Sequence, residues 1–99
     1  MIGEIRMKIF LDDIRKCPYG MVLCRTPEEA IYYIDKNEVE FISFDHDLGE
    51  NCLSGYDVAS YIEKKVYNKE IKCPEWQIHS SNPIGRKRIQ QAMESAKRF

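Results

Sequence analysis

Short apolar segments alternate along the chain with amphipathic helical segments, and this alternation limits the folds open to it more than any other feature. Four short apolar runs are typical of buried strands. Three further segments have the spacing of helices with one apolar face. Strands that alternate with helices form βαβ units, which build a parallel sheet with right-handed crossovers. The predicted strands are residues 8–11, 21–24, 41–44 and 76–79.

Each predicted helix begins with a recognisable cap. Ser, Thr or Asn stands at the N-cap, followed by Pro at the first helical position or by an acid that completes a capping box. The caps and their partners are Thr26 with Pro27 and Glu29, Ser54 with Asp57, and Asn82 with Pro83. The predicted inward residues are Ala30, Ile31 and Ile34, then Gly55, Val58, Ala59, Ile62 and Val66, and finally Ile89, Ala92, Met93 and Ala96.

The connection between the first two predicted strands is too short for a full helix. Pro18 and Gly20 interrupt it, so we expect a loop there. The 99 residues predict a single domain, residues 1–99, with one modest core.

Composition places the chain among ordinary globular proteins. Charged residues make up 31% and hydrophobic residues 43%, and the net charge of −1 gives no general attraction to duplex DNA or to a membrane surface. No apolar run approaches membrane-spanning length, and no signal peptide is present, so we expect a cytoplasmic protein. The four scattered cysteines predict reduced thiols rather than a zinc site or a disulfide framework. No pattern indicates an oligomeric state.

Polar, ionisable residues follow three of the predicted strands directly. Because the carboxyl ends of parallel strands share one edge of a sheet, where α/β folds bind their ligands, we expect these residues to meet. They are Asp12 and Asp13; Asp45, His46 and Asp47; and His79, Ser80, Ser81 and Asn82.

The carboxylates predict a site for a hard divalent cation. Asp12, Asp13 and Asp45 offer oxygen ligands that suit Mg²⁺ or Mn²⁺, and Asp47 could join or replace one of them. The sequence leaves open which of Asp45 and Asp47 faces the site. The alternative for each acid is a turn in which it caps the loop or is solvated.

The segment after the fourth strand predicts proton transfer and phosphate binding. His79 has a side chain suited to passing a proton near neutral pH, with His46 as its partner or as a second ligand. A hydroxyl and a helix N-terminus bind phosphate, which points to Ser80, Ser81 and Asn82. Arg15 and Arg86 are predicted phosphate clamps. The alternatives are that Asn82 only caps its helix, that His79 is a hydrogen-bonded edge residue, and that both arginines are solvated.

Charge within the chain is uneven. Residues 84–99 hold five Lys or Arg and a single acid, so an anion-binding face is expected near this segment. The chain lacks the aromatic platform typical of proteins that bind single strands.

Four ordered blocks of sequence resemble the cyclic-phosphate processing receiver-like family, a divergent branch of the response-regulator receiver fold. They are IFLDDIR at 9–15, SFDHDLG at 43–49, SGYDVA at 54–59 and HSSNPIG at 79–85. The resemblance implies a small flavodoxin-like parallel sheet of about four strands in the order 2-1-3-4. It also implies helices on both faces, with the first helix reduced to a loop.

The resemblance also carries residue roles from ordinary receivers. Asp12 and Asp13 match the metal-binding acidic pair, Asp45 matches the phosphoacceptor, and Ser80 or Ser81 falls near the receiver hydroxyl residue. The usual receiver lysine has no counterpart, and His46 and His79 are additions. These departures weaken a role in phosphorelay signalling.

The leading hypothesis is a divalent-metal-dependent phosphoesterase that acts on cyclic or terminal phosphates of nucleotides or RNA ends, in RNA repair or processing. Asp12, Asp13 and Asp45 would hold the metal, and His79 would protonate the leaving oxygen. The alternative is a non-catalytic receiver-like signalling or binding module that accepts phosphate on Asp45, or that binds a metal and a protein partner. A third hypothesis is an accessory protein with a vestigial acidic pocket.

Overall fold

A four-stranded parallel sheet and three helices make up the computed structural model, which describes residues 6–48 and 53–99. The strand order β2-β1-β3-β4 confirms the predicted receiver-like α/β class. Gly49 and Cys52, which belong to the sequence patterns above, lie outside the described residues. In chain order the elements are β1 (Arg6–Leu11), β2 (Val22–Cys24), α1 (Pro27–Lys36), β3 (Glu38–Phe44), α2 (Gly55–Tyr67), β4 (Glu75–Ile78) and α3 (Pro83–Lys97).

All four strands differ in their bounds from the prediction. β1 begins at Arg6 rather than at residue 8, β2 begins at Val22 rather than at residue 21, and β4 covers Glu75–Ile78 rather than residues 76–79. β3 begins at Glu38 rather than at residue 41, because Val39 continues the ladder by pairing with Met7. The charged residues at this end of β3 are exposed or half-buried, so they lack the apolar signature that marks the centre of the sheet. The register between β1 and β3 shifts between Met7 and Lys8, which separates this peripheral part from the buried part.

The predicted caps form at the helix starts. The Thr26 hydroxyl accepts the Glu29 N–H at 3.2 Å, and the Asn82 side-chain oxygen accepts the Gly85 N–H at 3.0 Å. At α2, the Asp57 carboxylate accepts the backbone N–H of Ser54, which is half of a capping box. None of the helices in the described ranges is both long enough and apolar enough to cross a bilayer.

All three helices pack against one face of the sheet, which differs from the expectation of helices on both faces. Alternate strand residues on that face share a single apolar core with residues of every helix. Phe10 and its register partner Ser43 lie on the opposite face and are also buried. The core includes Ile9, Leu11, Ile42 and Phe44 from the sheet, and Ala30, Ile34, Val58, Ala59, Ile62, Val66, Ile89, Ala92, Met93 and Ala96 from the helices.

The strand order explains this one-sided arrangement. The chain moves in one direction across the sheet after β2, so right-handed crossovers place α1 and α2 on the same face. α3 follows β4 and shares the same core on that face. Only the step from β1 to β2 runs in the opposite direction, and a helix there would cover the second face. Residues 12–21 form bends and turns instead, as the Pro18 and Gly20 signal predicted.

Three cysteines carry free thiols in the described part of the chain: Cys17, Cys24 and Cys73. Cys24 ends β2 inside the core, and burial, with smaller contributions from Glu29 and Cys17, raises the pKa of its thiol to about 12. A thiol held in its protonated form is a poor nucleophile, so Cys24 acts as a small apolar core residue.

Candidate functional site

One ionisable residue follows each of three strands at the carboxyl edge of the sheet. Asp12 follows β1, Asp45 follows β3 and His79 follows β4. Backbone bonds extend the ladder just past the strands: the Asp45 N–H donates to the Leu11 carbonyl, and the His79 N–H donates to the Phe44 carbonyl, both at 2.9 Å. The three residues therefore lie level with one another.

The side chains of Asp12, Asp45 and His79 converge at this edge. One carboxylate oxygen from each acid and one ring nitrogen of the histidine all lie within 4.8 Å of one another. Asp12 is fully buried, whereas Asp45 and His79 are half-buried, so solvent reaches the group from one side. We call these three residues the edge triad.

Asp12 is held in place from both oxygens. Its Oδ1 accepts the backbone N–H groups of Ile14 at 2.9 Å and Arg15 at 2.7 Å, and its Oδ2 lies 2.9 Å from the Nε2 atom of His79. Burial raises the pKa of this carboxyl, but the Arg15 and Ile14 N–H groups and His79 together outweigh burial and hold the pKa below its ordinary value. Asp12 is therefore a buried carboxylate that stays ionised.

Both ring nitrogens of His79 are engaged. Nε2 faces Asp12, and Nδ1 lies 2.7 Å from the Ser43 hydroxyl oxygen on the face of the sheet opposite the helices. The Gln77 side-chain amide donates to the same hydroxyl at 3.1 Å. The Phe10 ring stacks on the imidazole with centroids 4.7 Å apart and an angle of 6° between the rings. Strand residues thus fix the position and the plane of His79.

Asp45 keeps one oxygen bound and is crowded by the start of α2. Its Oδ1 accepts the backbone N–H of His46 at 2.8 Å. A Cβ atom at Gly55 would overlap the Asp45 carbonyl group, so only glycine lets the first turn of α2 approach this closely. The Gly55 N–H donates to the His46 carbonyl at 3.0 Å, which ties the turn after β3 to the helix.

A second histidine–aspartate pair lies beside the edge triad. His46 Nδ1 is 2.9 Å from Asp47 Oδ1, and the Asn82 amide donates to the same oxygen at 3.3 Å. These contacts, chiefly the one with His46, lower the pKa of the Asp47 carboxyl. A Cβ atom at Gly85 would overlap the His46 ring, so the first turn of α3 has a glycine where the ring packs.

The predicted phosphate-binding residues largely build the turn between β4 and α3. The buried Ser80 hydroxyl accepts the Asn82 N–H at 3.1 Å, and Ser81 is exposed. Arg86 donates to the carbonyls of Ile78 at 3.2 Å and Ser80 at 3.1 Å. Asn82 caps α3 as expected, and the role of these residues in binding phosphate stays a prediction.

Arg15 spans the site from the loop after β1. It donates to the His79 carbonyl at 2.8 Å, and its Nε lies 3.7 Å from Asp12 Oδ2. Its side chain is 49% exposed, so part of the guanidinium faces solvent next to the edge triad. That position suits the predicted anion-binding role and also supports the fold of the loop.

The structure brings together only some of the predicted metal ligands. Asp12 and Asp45 join His79 in the edge triad, and Asp47 is not part of this group. Asp13 is half-buried and does not belong to the triad, since successive residues of an extended chain point to opposite sides. Asp47 pairs with His46 instead.

Sequence reasoning missed four side chains that support the site. Ser43, Gln77 and Phe10 surround the ring of His79, and Arg25 donates to the carbonyls of Asp12 at 3.3 Å and Arg15 at 3.0 Å. A polar residue in the buried centre of a strand was the available signal for Ser43. No signal in the sequence pointed to Gln77, Phe10 or Arg25, since their roles arise from pairing between strands.

The donor set of the edge triad fits a hard divalent cation. Two carboxylates from different strands lie within the span that one ion can bridge, and Mg²⁺ or Mn²⁺ combines such ligands with water and phosphoryl oxygen. Asp12 keeps a lone pair on Oδ2 in addition to the one that faces His79. The fit is carried by the carboxylates, with His79 packed behind Asp12.

Comparison with known proteins gives one match. A family model described as "Cyclic-phosphate processing Receiver domain" matches residues 7–95, which is nearly the whole chain. This match confirms the family resemblance seen in the four sequence blocks. Neither the curated proteins nor the solved structures contain a significant match.

Proposed function

Because the chain belongs to the cyclic-phosphate processing receiver domain family, we propose that it is a divalent-metal-dependent phosphoesterase for cyclic or terminal phosphates. The substrates we propose are nucleotides or RNA ends, in RNA repair or processing. The observation that carries the proposal is the edge triad, in which two carboxylates and an imidazole converge beside a second histidine–aspartate pair.

Asp12 and Asp45 are the residues that would hold Mg²⁺ or Mn²⁺. When bound, such an ion neutralises phosphoryl charge and activates water. The protein supplies a site whose acids are held before the ion arrives: Asp12 by two backbone N–H groups and Asp45 by one. Holding the ligands in advance reduces the entropy lost on binding.

His46 is the residue we assign to proton transfer. Its ring is oriented by Asp47, Asn82 and the close packing of Gly85. Within the described part of the chain, the hydrogen bond of the ring is the one that Nδ1 donates to Asp47, so Nε2 remains for a substrate or a water molecule. A histidine oriented by a carboxylate on one nitrogen and open on the other is suited to accept or donate a proton.

Arg15, Arg86 and the N-terminus of α3 provide positive charge around the site. Each arginine uses one terminal nitrogen on backbone carbonyls, which leaves other N–H donors of the guanidinium for a phosphate. Pro83 has no N–H group and Asn82 caps Gly85, so Ile84 offers the remaining early N–H of α3. The phosphate would lie between these groups and the edge triad.

Hydrolysis assays test this proposal directly. The purified chain is incubated with adenosine 2′,3′-cyclic monophosphate, and with a short RNA that ends in a 2′,3′-cyclic phosphate, with Mg²⁺, Mn²⁺ or EDTA. We expect multiple turnovers with metal and loss of turnover in EDTA. Asp45→Asn should lower the rate by at least about a hundredfold, because it weakens stabilisation of the reacting charge.

The matched control is Glu94→Gln, which removes one negative charge from the exposed face of α3. It should leave the rate unchanged, and circular dichroism should show the same fold in both variants. Absence of turnover for both substrates with a folded protein, or full activity in Asp45→Asn, would overturn the proposal.

Phosphate acceptance by Asp45 is the second candidate function. Only Oδ1 of Asp45 has a hydrogen-bond partner in the described residues, and Asp45 matches the phosphoacceptor position of receivers. Incubation with a small acyl phosphate, followed by intact-mass measurement, distinguishes the two. A stable adduct of one phosphoryl group without hydrolysis of a cyclic phosphate would favour a regulatory receiver.

A further inference from the structure

Four side chains form a continuous hydrogen-bonded row from the face of the sheet opposite the helices to the edge triad. Gln77 contacts Ser43 at 3.1 Å, Ser43 contacts His79 at 2.7 Å, and His79 contacts Asp12 at 2.9 Å. Ser43 and Gln77 are register partners on β3 and β4. We call these four residues the relay row.

The Gln77 side chain determines the direction of the hydrogen bonds in the relay row. The Gln77 amide nitrogen can only donate, so the Ser43 oxygen accepts from it. A hydroxyl has one hydrogen to give, and its short contact is with Nδ1 of His79. If the hydroxyl donates there, Nδ1 carries a lone pair, and the single proton of the neutral ring is on Nε2.

The contact between His79 and Asp12 independently places the ring proton on Nε2. A carboxylate can only accept, and Asp12 already receives two backbone N–H groups on its other oxygen. The 2.9 Å contact with Nε2 is a hydrogen bond only if Nε2 carries the proton. In the opposite tautomer two lone pairs would face each other in a buried place, which is costly.

Packing prevents the ring from exchanging its two nitrogens. Phe10 stacks nearly parallel on the imidazole, and Ser43 is fully buried beneath it. A ring rotation would break the contacts with both Ser43 and Asp12 at once. The orientation and the tautomer are therefore fixed by the same set of neighbours.

We propose that Ser43 and Gln77 are positioning residues that hold His79 in the tautomer with its proton on Nε2, as a hydrogen-bond donor to Asp12. In this state Nε2 has no lone pair for a proton or a cation. His79 then orders Asp12 and leaves proton transfer to His46, a consequence that rests on the proposed function. The tautomer itself does not depend on any activity.

The tautomer is measured by long-range ¹H–¹⁵N correlation spectroscopy on protein labelled at histidine, without substrate or metal. His79→Gln assigns the resonances. We expect the Nδ1 resonance of His79 in the region of unprotonated nitrogens and the Nε2 resonance in the N–H region. The reverse pattern, or an exchange-averaged ring, would overturn the proposal.

The Gln77→Glu variant tests whether the residue at position 77 determines which way the Ser43 hydroxyl donates. A glutamate can only accept, so the Ser43 hydroxyl should turn to it and offer a lone pair to Nδ1. Because Asp12 still requires the proton on Nε2, we expect the Nδ1 resonance to move towards the N–H region while the Nε2 resonance stays there. Gln77 is exposed, so the substitution is compatible with folding. A spectrum identical to that of wild type would show that Gln77 has no positioning role.

Two further variants serve as controls. Gln90→Glu adds the same charge on the exposed surface of α3 and should leave the ring resonances unchanged. If it shifts them equally, the effect of Gln77→Glu is general electrostatics and the relay is overturned. Ser43→Ala removes the donor to Nδ1 and should shift that resonance towards an unbound nitrogen; no shift in the folded variant would likewise exclude Ser43 as a positioning residue.

Failure of this proposal is distinguishable from failure of the proposed function. The spectra are recorded on the resting protein, so a chain with no phosphoesterase activity would still show the predicted tautomer. If the chain hydrolyses a cyclic phosphate but His79 has the opposite tautomer, the proposed function stands and the positioning role of Ser43 and Gln77 is overturned.

Discussion

The two histidine–aspartate pairs at the carboxyl edge of the sheet have the same composition and opposite surroundings. In the pair of His79 and Asp12, the side chains are 15% and 0% exposed, and both ring nitrogens are engaged. In the pair of His46 and Asp47, they are 17% and 65% exposed, and among residues 6–48 and 53–99 the ring has polar contacts at Nδ1 alone. The two imidazoles are thus about equally exposed, and the pairs differ in the carboxylate, which is buried in the first pair and exposed in the second.

The difference follows from where each pair is placed in the chain. His79 follows β4 and Asp12 follows β1, two strands that β3 separates in the sheet, so their contact depends on the fold as a whole. His46 and Asp47 are adjacent in sequence and lie on a turn, where α3 supplies the supporting surface through Gly85 and Asn82. A histidine held at one nitrogen and free at the other is the better candidate for proton transfer.

The largest effect that follows from this comparison concerns the two histidines themselves. His46→Gln removes the free ring nitrogen, and we expect the rate of cyclic phosphate hydrolysis to fall by about 10²–10⁴-fold. His79→Gln keeps an amide that can donate to Asp12, so the loss should be about 10–100-fold, typical of a residue that orients a metal ligand.

Initial rates at saturating metal measure both variants, with the fold checked by circular dichroism. A larger loss in His79→Gln than in His46→Gln would reverse the assignment and return His79 to the role of proton donor that the sequence suggested.

Substitution of Gly85, which packs on His46, and of Gly55, which packs on Asp45, should have smaller effects than substitution of the histidines. Gly85→Ala places a methyl group against the His46 ring, which can shift, so we expect an activity loss of up to about a hundredfold from misplacement. Gly55→Ala places it against the Asp45 backbone, which cannot rotate away. That variant should lose about 1–3 kcal/mol of folding free energy.

Activity and thermal melting are measured for both glycine variants. Gln90→Ala, on the exposed surface of α3, is the matched control and should change neither quantity. An active, normally stable Gly85→Ala would show that the position of His46 is not set by α3.

The fold could be predicted because local and periodic signals specify it. Pro27 and Pro83 mark helix starts, and the buried stripes of the helices have regular spacing. The loop after β1 followed from Pro18 and Gly20. The one-sided placement of the helices needed a further step: only the β1-to-β2 crossover reverses direction in this strand order, and it is the one without a helix.

The candidate site could be predicted only to the level of which strand ends meet. Asp12, Asp45 and His79 were all marked as polar residues after apolar runs, and parallel strands bring such residues to one edge. Which nitrogen of each histidine is engaged depends on side chains from other strands, such as Ser43 and Gln77, and on register. The local sequence does not specify the register between strands that are far apart along the chain.

Acid stability provides the smallest and most direct contrast between the two aspartates. The folded chain holds the pKa of Asp12 below its ordinary value of 3.8, because two backbone N–H groups and His79 outweigh burial. Between the folded and the ordinary value the unfolded chain binds more protons, so stability rises with pH there. The stabilisation is complete above the ordinary value and is lost as pH falls through the folded value.

Urea unfolding midpoints measured from neutral pH down to about pH 2 test this contrast. The unfolding midpoint of wild type should exceed that of Asp12→Asn at neutral pH. The difference should shrink as pH falls below about 3.8, so the two plots of midpoint against pH converge. Asp47 also has a lowered pKa, chiefly through His46, but its exposed carboxylate is screened by water, so Asp47→Asn should stay nearly parallel to wild type. If the Asp47 curve converges as strongly as the Asp12 curve, the two pairs are energetically alike. The distinction between a closed structural pair and an open one would then rest on His46 and His79 alone.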